Sequence, residues 1–256
     1  MTHHTYLIVG GGMTAAAAVA GIREVDEEGS IGLISAEGHP PYDRPPLSKK
    51  LWTGKKQVAD LWRPVAGVAT YLGRTVRRLE LEAKRVTDER GEAYGFDKLL
   101  LATGGAPRRL PFGGERVIYF RTLDTYERLR DLARERQRFA VIGGGFIGSE
   151  IAAALAMNGK QVTMLFPDAG IAARIFPPDV GRFLDGYYEE RGVEVLAGES
   201  VTALEGEGTD LTVVTASGRR LAVDGVVAGI GITPSVELAQ VAGLAVDDGV
   251  VVDPSL

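Results

Sequence analysis

Ala140-Val-Ile-Gly-Gly-Gly-Phe-Ile-Gly-Ser-Glu150 is the stretch that decides the fold. The apolar lead-in, Phe139 to Ile142, reads as a buried strand, and the alanine-rich run Ile151 to Met157 as the helix leaving it. Between them, Gly143, Gly145 and Gly148 fill the G-x-G-x-x-G positions of a dinucleotide-binding turn. Each glycine answers a steric demand. The first makes the tight turn, the second lets the backbone approach a pyrophosphate, and the third lets helix and strand pack closely. A pyrophosphate is then held by free N–H groups at the positive end of the helix. Phe146 and Ile147 lie inside the same binding turn.

The turn has a twin. Leu7-Ile-Val-Gly-Gly-Gly-Met-Thr-Ala15 carries Gly10, Gly12 and Ala15 at the three positions, with Met13 and Thr14 between them, at an offset of 133 residues. Alanine is tolerated at the third position. Internal duplication of this kind predicts an α/β chain with two Rossmann-like βαβ units in succession.

Length and composition agree with that organisation. A chain of 256 residues accommodates two domains. Its 34 glycines are about twice ordinary usage, an excess that suits strand-end turns. The net charge of −5 offers no basic field for nucleic acid or an anionic membrane. Neither a signal peptide nor a membrane-spanning run is visible, since the apolar start Tyr6 to Val9 runs straight into a glycine turn. A cytoplasmic protein, or an organelle protein without its targeting peptide, is therefore expected. There is no cysteine, which removes disulfides, cysteine-rich zinc sites and thiol chemistry. His3 and His4 read as a solvated terminus, and no metal site is expected.

Along the chain, residues 6–9 are expected as the first strand, 13–24 as the first helix and 31–35 as the second strand. Glu37 follows that strand, where a carboxylate would accept ribose hydroxyls. Next comes His39-Pro-Pro-Tyr-Asp-Arg-Pro-Pro-Leu-Ser-Lys-Lys-Leu-Trp52, whose four prolines predict no helix until after Pro46. Taken alone, a proline-rich loop with basic residues is more often a solvated connection than a site. Further strands are expected at Gly67 to Leu72, Glu92 to Phe96 and Lys98 to Ala102. A charge-rich connecting helix is expected from Thr122 to Arg138, with Leu123, Tyr126, Leu129 and Leu132 as its apolar stripe. In the second unit, Lys160 to Phe166 and Val193 to Leu196 read as strands, and a helix, a small hairpin and a return strand complete it by residue 229.

The Pro-Pro-Tyr-Asp-Arg-Pro-Pro-Leu-Ser-Lys-x-Leu-Trp run resembles the signature of a flavoprotein group that includes the NADH-dependent ferredoxin and rubredoxin reductases and the apoptosis-inducing factor family. Both glycine turns, Ala102-Thr-Gly104 with Pro107-Arg108, and Gly229-Ile-Gly-Ile-Thr-Pro234 follow in the family's order. The resemblance implies two FAD/NAD(P)-binding domains of glutathione-reductase-like topology. FAD would be held by residues 1–114, to which 234–256 would return incompletely, and NAD(P)H by 115–233. It also implies that Arg44, Pro45, Lys49, Ala102, Thr103, Gly104 and Arg108 adjoin the FAD, and that Gly229, Ile230 and Gly231 line the inner site. Lys49 would place a cation near the flavin N5 and pair with Glu150. A carboxylate in the first turn of a helix suits the dipole but not a neighbouring pyrophosphate, so Glu150 is expected to turn toward a cation. The family's second FAD-binding element and C-terminal domain are not found before Val250-Val-Val-Asp-Pro-Ser-Leu256, so the chain reads as a fragment.

Many such reductases place glutamate at the position of Phe166. Here Phe166-Pro-Asp168 resembles the apoptosis-inducing factor branch instead, making Asp168 the ribose candidate with Arg174 nearby. An acidic Asp168 favours NADH over NADPH by repelling a 2′-phosphate, and Arg174 pulls the other way. The expected function is hydride transfer from NAD(P)H to FAD, positioned rather than acid–base catalysed by the protein. Lacking cysteine, the chain would pass electrons to an external acceptor such as ferredoxin or rubredoxin, as a monomer or homodimer. The alternatives are an NADH-responsive signalling flavoprotein with slow turnover, and a nucleotide-binding fragment without activity.

Overall fold

A computed structural model describes residues 1–208 and 210–254. Its contacts divide the chain into two units, one of residues 1–43, 58–106 and 233–256, the other of residues 44–57 and 107–232. The division assigns the proline-rich loop from Arg44 onward, and residues 107–114, to the second unit. Of the returning segment 234–256, residues 255–256 lie outside the described residues.

The first unit opens with β1 (Thr2–Val9), α1 (Met13–Val25) and β2 (Ile31–Ser35). After the loop come β3 (Val68–Leu72), β4 (Val76–Glu80), β5 (Arg85–Asp88) and β6 (Ala93–Leu101). These strands make one sheet in the order β3-β2-β1-β6-β5-β4. The four strands β3, β2, β1 and β6 are parallel, and β5 and β4 extend the sheet antiparallel. Ala15 and Val19 bury the face of α1 against Ile8, Ile31 and Leu33, since small side chains bring helix and sheet close.

Sequence reading erred at this sheet in two places. Glu92 to Phe96 and Lys98 to Ala102 are expected as two strands, yet β6 runs unbroken, because its pairing with β1 continues through the exposed residues Asp97 and Lys98. The N-terminus is not solvated either. Register pairs run from Thr2 against Tyr94 to Val9 against Leu101, so β1 begins at residue 2. His4 is consequently buried with its ring against Tyr71, at 3.0 Å from the Tyr71 hydroxyl, and burial lowers its pKa.

From the first unit, β7 (Gly105–Pro107) leads into the second, which continues with β8 (Val117–Tyr119), α2 (Leu123–Glu135), β9 (Arg138–Ile142), α3 (Phe146–Met157), β10 (Gln161–Phe166), α4 (Pro178–Glu189) and β11 (Val193–Ala197). The strands β12 (Val201–Glu207), β13 (Asp210–Thr215) and β14 (Arg220–Val223) form an antiparallel sheet, and β15 (Gly225–Ala228) returns to the main one. That sheet is parallel throughout, in the order β11-β10-β9-β15-β8. Its strands β9, β15 and β8 are almost wholly buried, as parallel sheets require, while the edge strand β11 is partly exposed. Finally β16 (Ile232–Pro234) carries the chain back to the first unit, which closes with α5 (Glu237–Val241) and the short pair β17 (Val246–Asp247) and β18 (Gly249–Val250).

The helix α2 is amphipathic but shorter than expected, and it is not merely a solvated connection. Thr122 and Thr125 close a capping box at its start, and Leu123, Tyr126, Leu129 and Ala133 are buried. Tyr126 packs edge-on against Trp52, and the Arg130 guanidinium lies over the same indole.

Candidate functional site

Each unit changes winding direction beside the strand that enters its glycine turn, between β1 and β6 in one and between β9 and β15 in the other. Ligands of open α/β sheets bind at the carboxyl ends of the strands at this point. Both units build the same feature there. Gly10 adopts φ +123°, and a Cβ on it would stand 2.0 Å from the Ala102 carbonyl oxygen at the end of β6. Gly143 adopts φ +115°, and its Cβ would stand 2.5 Å from the Gly229 carbonyl oxygen at the end of β15. At the third position, a Cβ on Gly148 would lie 1.9 Å from the Gly143 oxygen, while Ala15 in the twin is fully buried. Glycine is obligatory at Gly143 and Gly148 because backbone, which cannot yield, fills the space.

The middle positions behave differently. A Cβ on Gly145 would meet nothing within 4 Å, so that site faces open space rather than protein. Gly12 and Gly145 are the N-caps of α1 and α3, with nearly identical backbone (φ −88°, ψ −169° and φ −81°, ψ −171°). Neither helix has a side-chain cap or an acidic residue in its first turn. By contrast, α2 is capped by its own threonines. Two glycine-capped helices with first-turn N–H groups lacking a capping side chain are the donor set that a pyrophosphate completes. Met13, Phe146 and Ile147 in those first turns are exposed. Residues of the chain thus fit a dinucleotide at both positions.

The acidic residues fall into register. Gly10 N–H donates to the Ile34 carbonyl at 2.8 Å and Gly143 N–H to that of Leu165 at 2.9 Å. Counting three residues on from each acceptor reaches Glu37 in one unit and Asp168 in the other. Phe166 corresponds to Ser35, and each closes against the middle glycine of its turn: Ser35 beside Gly11 and the Phe166 ring beside Gly144. The loop after β10 is drawn onto the turn by a bond from Ala172 N–H to the Gly144 carbonyl at 2.8 Å, with Ala172 at φ +56°. Asp168 accepts from Arg174 Nε at 3.0 Å. Glu37 accepts from the Tyr42 hydroxyl at 2.6 Å.

The proline-rich loop is not helix-free up to Pro46. One turn of 3-10 helix spans Pro45–Ser48, because prolines at the first two positions have no N–H to lose and a φ already helical. Within the second unit this turn rests on α3. Lys49 Nζ lies 2.8 Å from Glu150 Oε2, and the Ser48 hydroxyl donates to the same oxygen at 2.6 Å. Glu150 does not sit in the first turn as expected. The helix α3 starts at Phe146, since the glycine turn closes earlier than the alanine run suggests, which puts Glu150 one turn further along. Lys49 and Glu150 border an open cavity of about 380 Å³, flanked by Lys50, Trp52, Asn158 and Tyr188.

The remaining candidates occupy strand ends. Thr103 donates to the Ser235 carbonyl at 2.7 Å, and Gly104, at φ +64°, accepts from Ser235 N–H. Arg108 N–H donates to the carbonyl of Gly231, itself at φ +97° and one residue beyond Ile230. Arg44 and Pro45 belong to the second unit, where Arg44 Nη1 donates to the Arg121 carbonyl at 3.3 Å. Sequence reasoning passed over Tyr42 and Ser48. Their only signal is the presence of hydroxyls in a loop already carrying Arg44 and Lys49.

Residues 4–256 match the family model described as pyridine nucleotide-disulphide oxidoreductase. The chain is 36% identical to putidaredoxin reductase CamA of Pseudomonas putida, over 96% of its own length and 62% of that protein. It is 31% identical to the putative apoptosis-inducing factor 1 of Drosophila melanogaster, over 96% of itself and 39% of the fly protein. A solved structure, the covalent putidaredoxin reductase–putidaredoxin complex, superposes with a TM-score of 0.89 at 33% identity, covering 97% of this chain and 63% of that one. The chain thus spans less than two thirds of the bacterial reductase it matches.

Proposed function

The chain belongs to the pyridine nucleotide-disulphide oxidoreductase family, and on that premise we propose that it takes hydride from NADH onto FAD and delivers the electrons to a small iron–sulfur protein. The observation that carries this reading is the duplicated cradle, Gly10 against Ala102 and Gly143 against Gly229, each followed by a glycine-capped helix. One chain with two such turns has the donor groups for two dinucleotides.

In the first unit, Gly10, Gly12 and the N–H groups of Met13, Thr14 and Ala15 hold the FAD pyrophosphate, Glu37 takes ribose hydroxyls, and Ala102, Thr103 and Gly104 pass beside the cofactor. In the second, Gly143, Gly145 and Gly148, with Phe146 and Ile147, hold NADH, and Gly229, Ile230 and Gly231 form the far wall. Asp168 takes the nicotinamide-side cofactor's adenosine ribose, supported by its register with Glu37. The family resemblance also assigns Arg44, Pro45 and Arg108 to FAD binding. FAD, when bound, accepts two electrons from a nicotinamide and releases them one at a time. The family resemblance assigns Lys49 as the cation for that chemistry, and Glu150 fixes the lysine, supported by their 2.8 Å contact within the second unit. With no cysteine, the chain has no thiol of its own to carry the electrons further. A relative named as putidaredoxin reductase, and the complex of such a reductase with putidaredoxin, support an iron–sulfur acceptor. Among the described residues no helix is long and apolar enough to cross a membrane. We place the activity in the cytoplasm, with the NADH pool.

A second reading, an NADH-responsive signalling flavoprotein, is favoured by the Phe166-Pro167-Asp168 sequence and by the fly relative. An anaerobic visible spectrum before and after NADH tests the first step. A yellow protein that bleaches supports hydride transfer to FAD, and a spectrum unaltered by NADH despite bound FAD rejects it. Fast reoxidation by a small iron–sulfur protein separates the first reading from the second, which requires a long-lived reduced state.

A further inference from the structure

Two consecutive residues meet one oxygen of Glu150, and they are held very differently. Ser48 is 5% exposed and ends the 3-10 turn. That turn is braced on every side: Pro45 and Pro46 fix its backbone, the Trp52 indole N–H donates to the Leu47 carbonyl at 2.8 Å, and Leu51 N–H donates to Pro46. Lys49 reaches the same oxygen from the end of a four-carbon chain and is 52% exposed. A rigid, short donor and a long, mobile one therefore share the acceptor. The rigid one decides where the carboxylate stays.

We propose that Ser48 is a positioning residue, whose hydroxyl holds the Glu150 carboxylate at the place where Lys49 meets it. The geometry stands on its own, and only its use in hydride transfer rests on the function proposed above. With the carboxylate anchored by a neutral donor, Lys49 can leave it for another anion without stranding Glu150. Without Ser48, the carboxylate turns into the open cavity and the ion pair loosens.

The test reads Lys49 directly, in the chain without FAD or NADH. Trace labelling of amines with acetic anhydride, followed by mass spectrometry, gives the rate at Lys49 relative to Lys50, which has no acidic partner within ion-pair distance among the described residues. Ser48→Ala is expected to raise that ratio about fivefold, the scale of one charge-assisted hydrogen bond. Glu150→Gln should raise it at least as far, and Ser48→Thr should return it to within about twofold of the parent. Should Ser48→Ala not fold, Ser48→Cys, a weak donor of similar size, carries the same expectation. An unchanged ratio in the Ser48 variant, or in Glu150→Gln, overturns the proposal. In FAD-loaded protein, Ser48→Ala should slow flavin reduction with little change in NADH affinity. A chain that never reduces FAD rejects the proposed function and leaves the labelling result standing.

Discussion

The Tyr42 hydroxyl donates to Glu37 Oε2 at 2.6 Å, from a side chain only 1% exposed. Tyr42 is packed edge-on against Trp62, which also neighbours the His39 ring, so the hydroxyl has little freedom. A carboxylate meant to accept from two ribose hydroxyls is floppy unless something orients it, and Tyr42 is placed to do so. Tyr42→Phe should weaken FAD binding about tenfold, the worth of one hydrogen bond to a charged acceptor. Titration of FAD fluorescence against the two proteins measures it, and equal affinities would remove Tyr42 from the site.

The glycines of the second turn separate fold from ligand. Gly148→Ala pushes a methyl to 1.9 Å from a backbone oxygen, and should cost about 3 kcal/mol or more of stability. Gly145→Ala meets nothing within 4 Å and has an ordinary negative φ, so its unfolding midpoint should be that of the parent. Its methyl instead occupies the side left open for pyrophosphate, and NADH binding should weaken about tenfold or more. Denaturant unfolding and calorimetric NADH titration on both variants check the contrast.

The architecture was legible because its determinants are local. Glycines at fixed spacing after an apolar strand mark Gly10 and Gly143, and the first sheet's Ile31–Ser35 strand falls where expected. What escaped depends on partners distant in sequence. Ser48 and Glu150 are 102 residues apart, and nothing near either one announces the contact. His4 looked terminal and polar, but β6 recruits the whole of β1 and buries it. The start of α3 was misplaced because Phe146, Ile147 and Gly148 look like turn residues until the packing of Gly148 on Gly143 is seen. In the sequence, Asp168 stands out only by its charge and its neighbours. Its equivalence to Glu37 emerges only from the hydrogen-bond register.

Asp224 ties the start of β9 to β15. It accepts from Arg138 Nη2 at 2.7 Å and from the N–H groups of Arg138 and Gln137. The Arg138 bond, helped by the two N–H groups, lowers its pKa from 3.8 to about 2, against the opposing effect of burial. A depressed carboxylate stabilises the fold fully above its unfolded pKa, and that contribution is lost as pH falls through the folded value. Parent stability should therefore drop between pH 4 and pH 2 from this group. Asp224→Asn should lower the unfolding midpoint by about 3–6 °C near neutrality and flatten that part of the acid limb. Thermal unfolding at a series of pH values gives both results, and a parallel acid limb in the variant would assign the drop to other carboxylates.

Two variants test the proposal that the Asp168–Arg174 pair reads the 2′ position of the nicotinamide cofactor. At 3.0 Å each neutralises the other, and Arg174 remains largely exposed at 74%. Asp168→Asn should cost NADH a ribose acceptor, weakening it about tenfold, while freeing Arg174 to meet a 2′-phosphate. NADPH binding should hold or improve, so the preference narrows or inverts. Arg174→Ala leaves Asp168 unpaired and ionised, which should widen the preference for NADH by repelling the extra phosphate. The double variant should lose most discrimination, since neither the acceptor nor the cation remains. Titrating each protein with NADH and NADPH at fixed ionic strength gives the ratios directly. If both single variants move the ratio in the same direction, the pair does not read the 2′ position.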